Sequence, residues 1–224
     1  MTASANNSVA DAHLRELPES LWLSMLFRAL PVIAGALVIA FTPDHSPRFG
    51  FAVFGAVALW SGIIVGFEAV GIKNHPLRPV VFARSIITAV AGGFALFMAT
   101  GGHDWATPGA FILTIAIWGI VTGLLELVGV PFARKHRFYT NEIIISGALT
   151  LLLGVIVAFV PPDLDEAYGG VEQITGSLTA SVQAVGFVGA YFAVLGVLLV
   201  IEAITLRQLL RRAHETPTLQ ETAQ

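Results

Sequence analysis

Six long apolar runs constrain the fold of this chain more than any other feature of its sequence. A helix needs about 20 predominantly apolar residues to cross the hydrocarbon core of a bilayer. Short stretches rich in Gly, Pro, Asn and Asp separate the runs, and these residues stop helices and start turns. The predicted spans cover approximately Leu21–Phe41, Gly50–Gly71, Val80–Thr100, Gly109–Val130, Ile143–Val160 and Val182–Leu206. The sequence therefore predicts an all-α, polytopic membrane protein with six transmembrane helices.

Composition excludes the main alternatives to this fold. Hydrophobic residues make up 55% of the chain and charged residues 12%, which is about half the charged fraction of an ordinary soluble domain. The alternation of period two that marks the strands of a membrane β-barrel is absent. The chain has no cysteine and no basic block, so we expect neither thiolate metal sites nor a nucleic-acid partner. The expected partners are the lipid bilayer and either a second copy of the chain or another membrane protein.

The distribution of Lys and Arg predicts the orientation of the helices, because basic residues concentrate in cytoplasmic loops. The N-terminal segment, the 2–3 loop, the 4–5 loop and the C-terminal segment hold Arg15, Lys73, Arg78, Arg134, Lys135, Arg137, Arg207, Arg211 and Arg212. The connections on the opposite side hold only Arg48. We therefore expect a cytoplasmic tail at 1–20, a membrane domain at 21–206 and a second cytoplasmic tail at 207–224.

Corresponding helices carry the same residues in the same register, which indicates an internal repeat. Helices 2 and 4 both read Trp, then Glu, then Gly, at Trp60, Glu68 and Gly71 and at Trp118, Glu126 and Gly129. Helix 6 matches through Gly196 and Glu202 but lacks the tryptophan. The sequence predicts three repeats of a helix hairpin, at about 21–71, 80–130 and 143–206, related by an axis along the membrane normal.

Glycine pairs are the predicted contact faces of the helices. Gly62 and Gly66, like Gly119 and Gly123, are spaced as small-x-x-x-small faces, which let helix backbones approach closely in a membrane. The alternative is that these glycines reflect only the high frequency of glycine in transmembrane helices.

Ionisable residues within the spans are the first candidates for a functional site. They are Arg28, Glu68, Arg84, Glu126 and Glu202, all near the predicted cytoplasmic ends. Each charge costs about 2.5–3.5 kcal/mol at a helix centre on insertion scales. We prefer ion pairing within a repeat, Arg28 with Glu68 and Arg84 with Glu126. The alternatives are arginines that extend to the headgroups and a ring of carboxylates that carries protons or cations. Since the third repeat lacks an arginine in helix 5, Glu202 is expected either to pair across repeats or to titrate near neutral pH.

The outer connections of the first two repeats contain a second candidate group. Asp44 and His45 lie in one, and His103 and Asp104 in the other. Histidine changes charge in the acid-stress range, so the four residues would form a proton-sensitive cluster if the loops met. The alternative is that they are solvated loop residues. Their spacing matches no established metal motif, so we expect no metal.

Motifs that would indicate catalysis are missing. The sequence has no Gly-rich phosphate loop, no Gly-x-Ser-x-Gly and no His-Glu-x-x-His. We therefore expect no enzymatic activity and no cofactor.

Taken together, these features resemble the HdeD-type acid-resistance membrane proteins over about residues 22–206. The residues that carry the resemblance are Arg28, Gly35, Pro43, Gly50, Gly62, Arg84, Gly119, Gly147, Gly154 and Gly196. The resemblance implies a bacterial inner-membrane protein linked to acid or general membrane stress tolerance, without known catalysis, and it brings no binding residues. The long acidic 5–6 connection and the third repeat without an arginine depart from a regular repeat. Two alternatives stay open: a small proton or solute channel or transporter, and an accessory subunit of a larger membrane complex.

Overall fold

Six helices and one short strand pair make up the described chain. A computed structural model describes residues 21–72, 76–101, 104–133, 137–167 and 177–221, with the backbone alone for 137–139 and 213–221. The helices are α1 (Leu21–Phe41), α2 (Pro47–Gly71), α3 (Arg78–Thr100), α4 (Pro108–Ala133), α5 (Arg137–Ala158) and α6 (Ala180–Glu221). Strands β1 (Asp165–Ala167) and β2 (Ser177–Thr179) pair antiparallel between α5 and α6.

Each of the six helices is long and apolar enough to cross a membrane. The spanning segments have mean hydropathies between 1.9 and 2.5, and those of α5 and α6 are Thr140–Ala158 and Ala180–Arg212. The prediction of an all-helical chain with six helices able to span a membrane is therefore confirmed. Helix α6 continues beyond Leu206, where the sequence analysis placed the start of a tail, because 206–212 consists mainly of strong helix formers. Leu206 and Leu210 pack there against Leu21 and Met25 of α1.

Hydroxyl caps and prolines fix the starts of two helices. The Ser46 side chain accepts a hydrogen bond of 3.2 Å from Phe49 N, and Pro47 follows it as the first helical residue. Thr107 accepts a bond of 3.1 Å from Ala110 N in the same way, and Pro108 follows it. A capping hydroxyl satisfies an otherwise orphaned N–H, and proline has no N–H to satisfy at that position. Both α2 and α4 therefore begin abruptly at short connections.

Glycines lie where the helices approach most closely. An added Cβ would lie 2.6 Å from Ala89 N at Gly62, 2.8 Å from Gly154 Cα at Gly119, 2.5 Å from Leu151 N at Gly123, and 2.6 Å from Ile33 Cγ1 at Gly196. At Gly66 the nearest atom would be Ser85 Oγ at 3.6 Å, which is an ordinary contact. The most extensive contacts join α2 with α3, α4 with α5 and α6 with α1. The tightest pairs thus connect successive predicted repeats.

The two ends of the bundle differ in chemistry. At the apolar end, where α2, α4 and α6 begin, the core contains Phe51, Phe54, Phe111, Ile115, Val185 and Val188, each at most 1% exposed. The charged end is the opposite end of these three helices, where Glu68, Glu126 and Glu202 lie. Ionisable side chains are buried in the core there. The fold therefore places Arg28, Glu68, Arg84, Glu126 and Glu202 at one end of the bundle, whereas Arg48, in the first turn of α2, lies at the other end and donates a hydrogen bond of 2.7 Å to Ala99 O.

Candidate functional site

Each of the six helices contributes one ionisable residue to a single group at the charged end. We call this group the charge cluster, and it consists of Arg28 of α1, Glu68 of α2, Arg84 of α3, Glu126 of α4, Glu142 of α5 and Glu202 of α6. Arg28 interacts electrostatically with all four glutamates of the cluster. The predicted intramembrane charges are therefore brought together in space, although they lie far apart in sequence.

The tightest ion pair of the cluster joins Arg84 and Glu126. Arg84 Nε lies 2.5 Å from Glu126 Oε1, and the Ser146 hydroxyl donates a hydrogen bond of 2.6 Å to Glu126 Oε2. Glu126 is only 3% exposed. Gly147 allows this arrangement, because an added Cβ there would lie 2.9 Å from Glu126 Cβ. One oxygen of this carboxylate is thus ion-paired with α3, and the other accepts a hydrogen bond from α5.

A looser ion pair joins Arg28 and Glu68. Arg28 Nη1 lies 3.8 Å from Glu68 Oε2, and Arg28 is 4% exposed. Within the described part of the chain, Arg28 Nε and Glu68 Oε1 are buried without a hydrogen-bond partner. Both ion pairs expected within the first two predicted repeats are therefore present, and the Arg28–Glu68 pair is the longer of the two.

Glu142 of α5 and Glu202 of α6 are the carboxylates of the third predicted repeat. Glu202 is 7% exposed, and among the described residues neither glutamate makes an ion pair. Each has an Oε2 that is buried without a hydrogen-bond partner in that part of the chain. Glu202 interacts at longer range with Arg28, Glu126 and Arg84. The cluster as a whole contains four carboxylates and two guanidinium groups, so two carboxylates have no counterion of their own.

Glu142 was missed by the sequence analysis, which began the fifth span one residue later, at Ile143. A signal for it was present. Thr140 precedes Gly147 by seven residues, as Arg28 precedes Gly35, and Glu142 lies two positions after Thr140. Helix α5 therefore has a carboxylate near the end at which α1 and α3 carry Arg28 and Arg84.

A small cavity adjoins the charge cluster along the bundle axis. Arg28, Arg84 and Glu126 line one part of it, and about 30 Å³ is open to the centres of water molecules. One water needs about 10–15 Å³ by this measure, so the cavity has room for about two. Its remaining polar wall comes from Ser61, Thr88, Thr122, Thr150 and Tyr191. The cavity can therefore hydrate the inner face of the charges but is too small for an organic solute.

Hydrogen-bonded aromatic side chains close the cavity toward the apolar end. Trp118 Nε1 donates to Thr88 Oγ1 over 3.3 Å, and the hydroxyls of Tyr191 and Thr150 are 2.9 Å apart. The Trp118 ring packs edge-to-face against Phe54 and Tyr191, with centroid distances of 5.0 and 6.0 Å. Beyond these rings lies the fully apolar part of the core.

The residues of the outer loops make local contacts. Asp44 Oδ1 accepts a hydrogen bond of 2.8 Å from Ser46 N, and His45 Nδ1 lies 3.2 Å from Pro43 O. Asp104 is exposed, and His103 lies outside the described residues. No hydrogen bond or ion pair joins Asp104 to Asp44 or His45 where the structure describes them. Among the described residues, no group of three or more His, Asp or Glu side chains is arranged to hold a metal ion.

Comparison of the chain with models of protein families, with curated proteins and with solved structures finds no match.

Proposed function

We propose that this chain is a non-enzymatic, acid-responsive membrane protein that contributes to acid or general membrane stress tolerance, as its resemblance to the HdeD-type proteins implies. The observation that supports this proposal is the surplus of carboxylates in the buried charge cluster. Uncompensated charge is costly inside a membrane, so proton uptake lowers the energetic cost of the cluster. Acidification therefore acts directly on the part of the bundle in which all six helices meet.

The proposed orientation places the charge cluster near the cytoplasm. Arg78 starts α3, and Arg207, Arg211 and Arg212 follow Glu202 in α6, all at the charged end. The guanidinium of Arg207 lies over the Trp22 ring at 4.7 Å, a pairing that suits a headgroup region. With the positive-inside bias, we place both termini on the cytoplasmic side of a bacterial inner membrane. The cluster would then respond to cytoplasmic acidification.

Three repeats about a membrane-normal axis form part of the proposal. The support is that equivalent contacts recur: glycine crossings join α2 with α3, α4 with α5 and α6 with α1. Arg28 with Glu68 and Arg84 with Glu126 recur as ion pairs at one depth. The third repeat is the divergent one, since Glu142 and Glu202 occupy this depth.

A channel receives less support than a proton-responsive bundle. A conducting path would need polar groups along the whole axis, whereas Phe51, Phe111 and Val185 are fully buried at the apolar end. The third alternative, an accessory subunit, draws support from a lipid-facing groove between α3 and α4 with about 680 Å³ of open space. Its walls are almost entirely apolar, including Val90 and Phe94, so bilayer lipid fits it as well as a partner helix does.

Survival of a deletion strain at low pH tests the proposed function. We expect the strain to lose viability in acid, wild-type protein to restore it, and the Glu142→Gln/Glu202→Gln double variant to restore it poorly. Glu166→Gln is the matched control, because this glutamate is exposed on β1, outside the spans. Unchanged survival of the deletion strain in acid and in membrane-perturbing detergent would refute the proposal.

A further inference from the structure

We propose that Glu142 and Glu202 form a carboxyl–carboxylate pair that binds one proton between them. This inference rests on the proposed function and makes it specific: the ligand is a proton, and Glu142 and Glu202 hold it. The proton would reach the pair from the charged end of the bundle. No covalent step is involved: one carboxylate accepts the proton, and the other accepts a hydrogen bond from it.

The position of the two side chains within the cluster is the first argument. Glu142 lies on α5 and Glu202 on α6, both in the charge cluster, and Glu202 is the charge that acts most strongly on Glu142, ahead of Arg28. Each has a buried Oε2 without a hydrogen-bond partner among the described residues, and Glu202 is 7% exposed. Two like charges held together away from water cannot both stay ionised at low cost. A shared proton removes the repulsion and gives a partner to both orphan oxygens.

The second argument is that the neighbouring charges are already paired with each other. From α3 and α4, Arg84 and Glu126 face the pair already joined to each other, with Ser146 on the second oxygen of Glu126. From α1 and α2, Arg28 and Glu68 form the looser pair. These four charges balance in two ion pairs, so neither guanidinium forms an ion pair with Glu142 or Glu202 in the described chain, although Arg28 interacts with both at longer range. A bound proton supplies there the positive charge that an arginine supplies to each of the other two repeats.

A proton suits the site better than a metal cation does. Hard cations bind six or more oxygen ligands, and no metal-competent group of three or more His, Asp or Glu side chains occurs in the described chain. The adjoining cavity has room for about two waters. Those waters can relay a proton, but they cannot complete a cation shell alone.

Infrared difference spectroscopy of the purified protein in lipid nanodiscs tests the site. We expect a carbonyl band of a buried carboxylic acid to appear on acidification from mildly alkaline to mildly acidic pH and to shift in deuterated water. The band should be lost in Glu142→Gln, in Glu202→Gln and in the double variant, and retained in Glu166→Gln. A wild-type protein without the band, or a band that persists in either single variant, would overturn the proposal.

The variant Glu142→Arg provides an independent check that does not depend on glutamine at this position. It restores the arginine–glutamate pattern of the other repeats, so we expect a folded protein in which Glu202 stays ionised and the band is lost. A Glu142→Arg protein that folds and still shows the band would exclude proton sharing. Because these measurements use no cells, a missing band refutes the site, whereas unchanged acid survival of the deletion strain refutes the proposed function.

Discussion

Arg84 Nε lies 2.5 Å from Glu126 Oε1, although the two residues are on different helices within the membrane-spanning part of the chain. The carboxylate is almost fully enclosed, whereas the arginine side chain is 22% exposed. The two members of the pair therefore differ in their access to the surface of the bundle. Arg84 can reach toward headgroups when its partner is removed, but Glu126 has no such route.

Removal of the arginine should therefore destabilise the bundle more than removal of the glutamate charge. We expect Arg84→Met to lower the free energy of unfolding by about 3–5 kcal/mol, the cost of breaking a buried pair, and Glu126→Gln to lower it by less. The double variant should lose less than the sum of the two. Unfolding in mixed micelles measures all three. Additivity within about 0.5 kcal/mol would mean that the pair is uncoupled.

The Arg28–Glu68 pair should show a weaker coupling in the same kind of cycle. Its closest approach is 3.8 Å, and Coulomb energy falls with distance. Arg28 nevertheless interacts with all four glutamates of the cluster, so Arg28→Met should destabilise the protein more than Glu68→Gln does. Unfolding of the two single variants and the double variant gives the coupling energy. A coupling equal to that of Arg84 and Glu126 would contradict the geometry.

The six spans were predictable because apolar length is a local property of the sequence. The pairing of Arg28 with Glu68 and of Arg84 with Glu126 was also predictable, since isolated charges are costly in a membrane and these residues recur in register. That Glu142 belongs to the cluster was not predictable, because it lies at the boundary of a predicted helix, and boundaries are the least reliable part of such predictions. Periodicity does not encode contacts between residues that are distant in sequence. It therefore could not predict which helices pack against each other or that β1 pairs with β2.

Pro31 of α1 and Trp60 of α2 are linked through one backbone carbonyl group, which the sequence alone does not show. Proline at position 31 has no N–H to bond the carbonyl oxygen of Phe27, four residues earlier in α1. Trp60 Nε1 of α2 donates a hydrogen bond of 2.8 Å to that oxygen. The tryptophan thus satisfies a backbone group that the proline leaves free. Trp118, which has the corresponding position in the second predicted repeat, donates instead to a threonine side chain.

Trp60→Phe should destabilise the wild-type protein and have a smaller effect when Pro31 is replaced. Trp60 and Phe27 lie on the outer surface of the bundle, where hydrocarbon offers the Phe27 oxygen no other donor, and an acceptor left unsatisfied there costs about 1–3 kcal/mol. An alanine in place of the proline would supply the missing helical N–H. We therefore expect the effect of Trp60→Phe on the free energy of unfolding to shrink in the Pro31→Ala background. The cycle corrects for the change in ring size, since that change is common to both backgrounds. An equal effect in both would show that the hydrogen bond contributes no stability.

Gly92 and Gly93 are adjacent, yet they have opposite surroundings. An added Cβ at Gly92 would meet the backbone of α2, with Leu59 Cα at 2.8 Å and Ala58 C at 3.0 Å, whereas at Gly93 it would meet nothing within 4 Å. Backbone atoms cannot move aside as the end of a flexible side chain can, so Gly92→Ala must push α2 and α3 apart. Overpacking of this kind costs about 1–3 kcal/mol.

We expect Gly92→Ala to lower the midpoint of thermal unfolding in detergent and Gly93→Ala to leave it unchanged or raise it, since alanine favours helix over glycine by up to about 1 kcal/mol. The two variants make the same chemical change in the same turn of α3, so the difference between them isolates the helix crossing. Equal midpoints would mean that α2 and α3 do not approach each other closely at Gly92. The crossings at Gly62, Gly119 and Gly123 would then need the same test before any of them is assigned to the packing of the repeats.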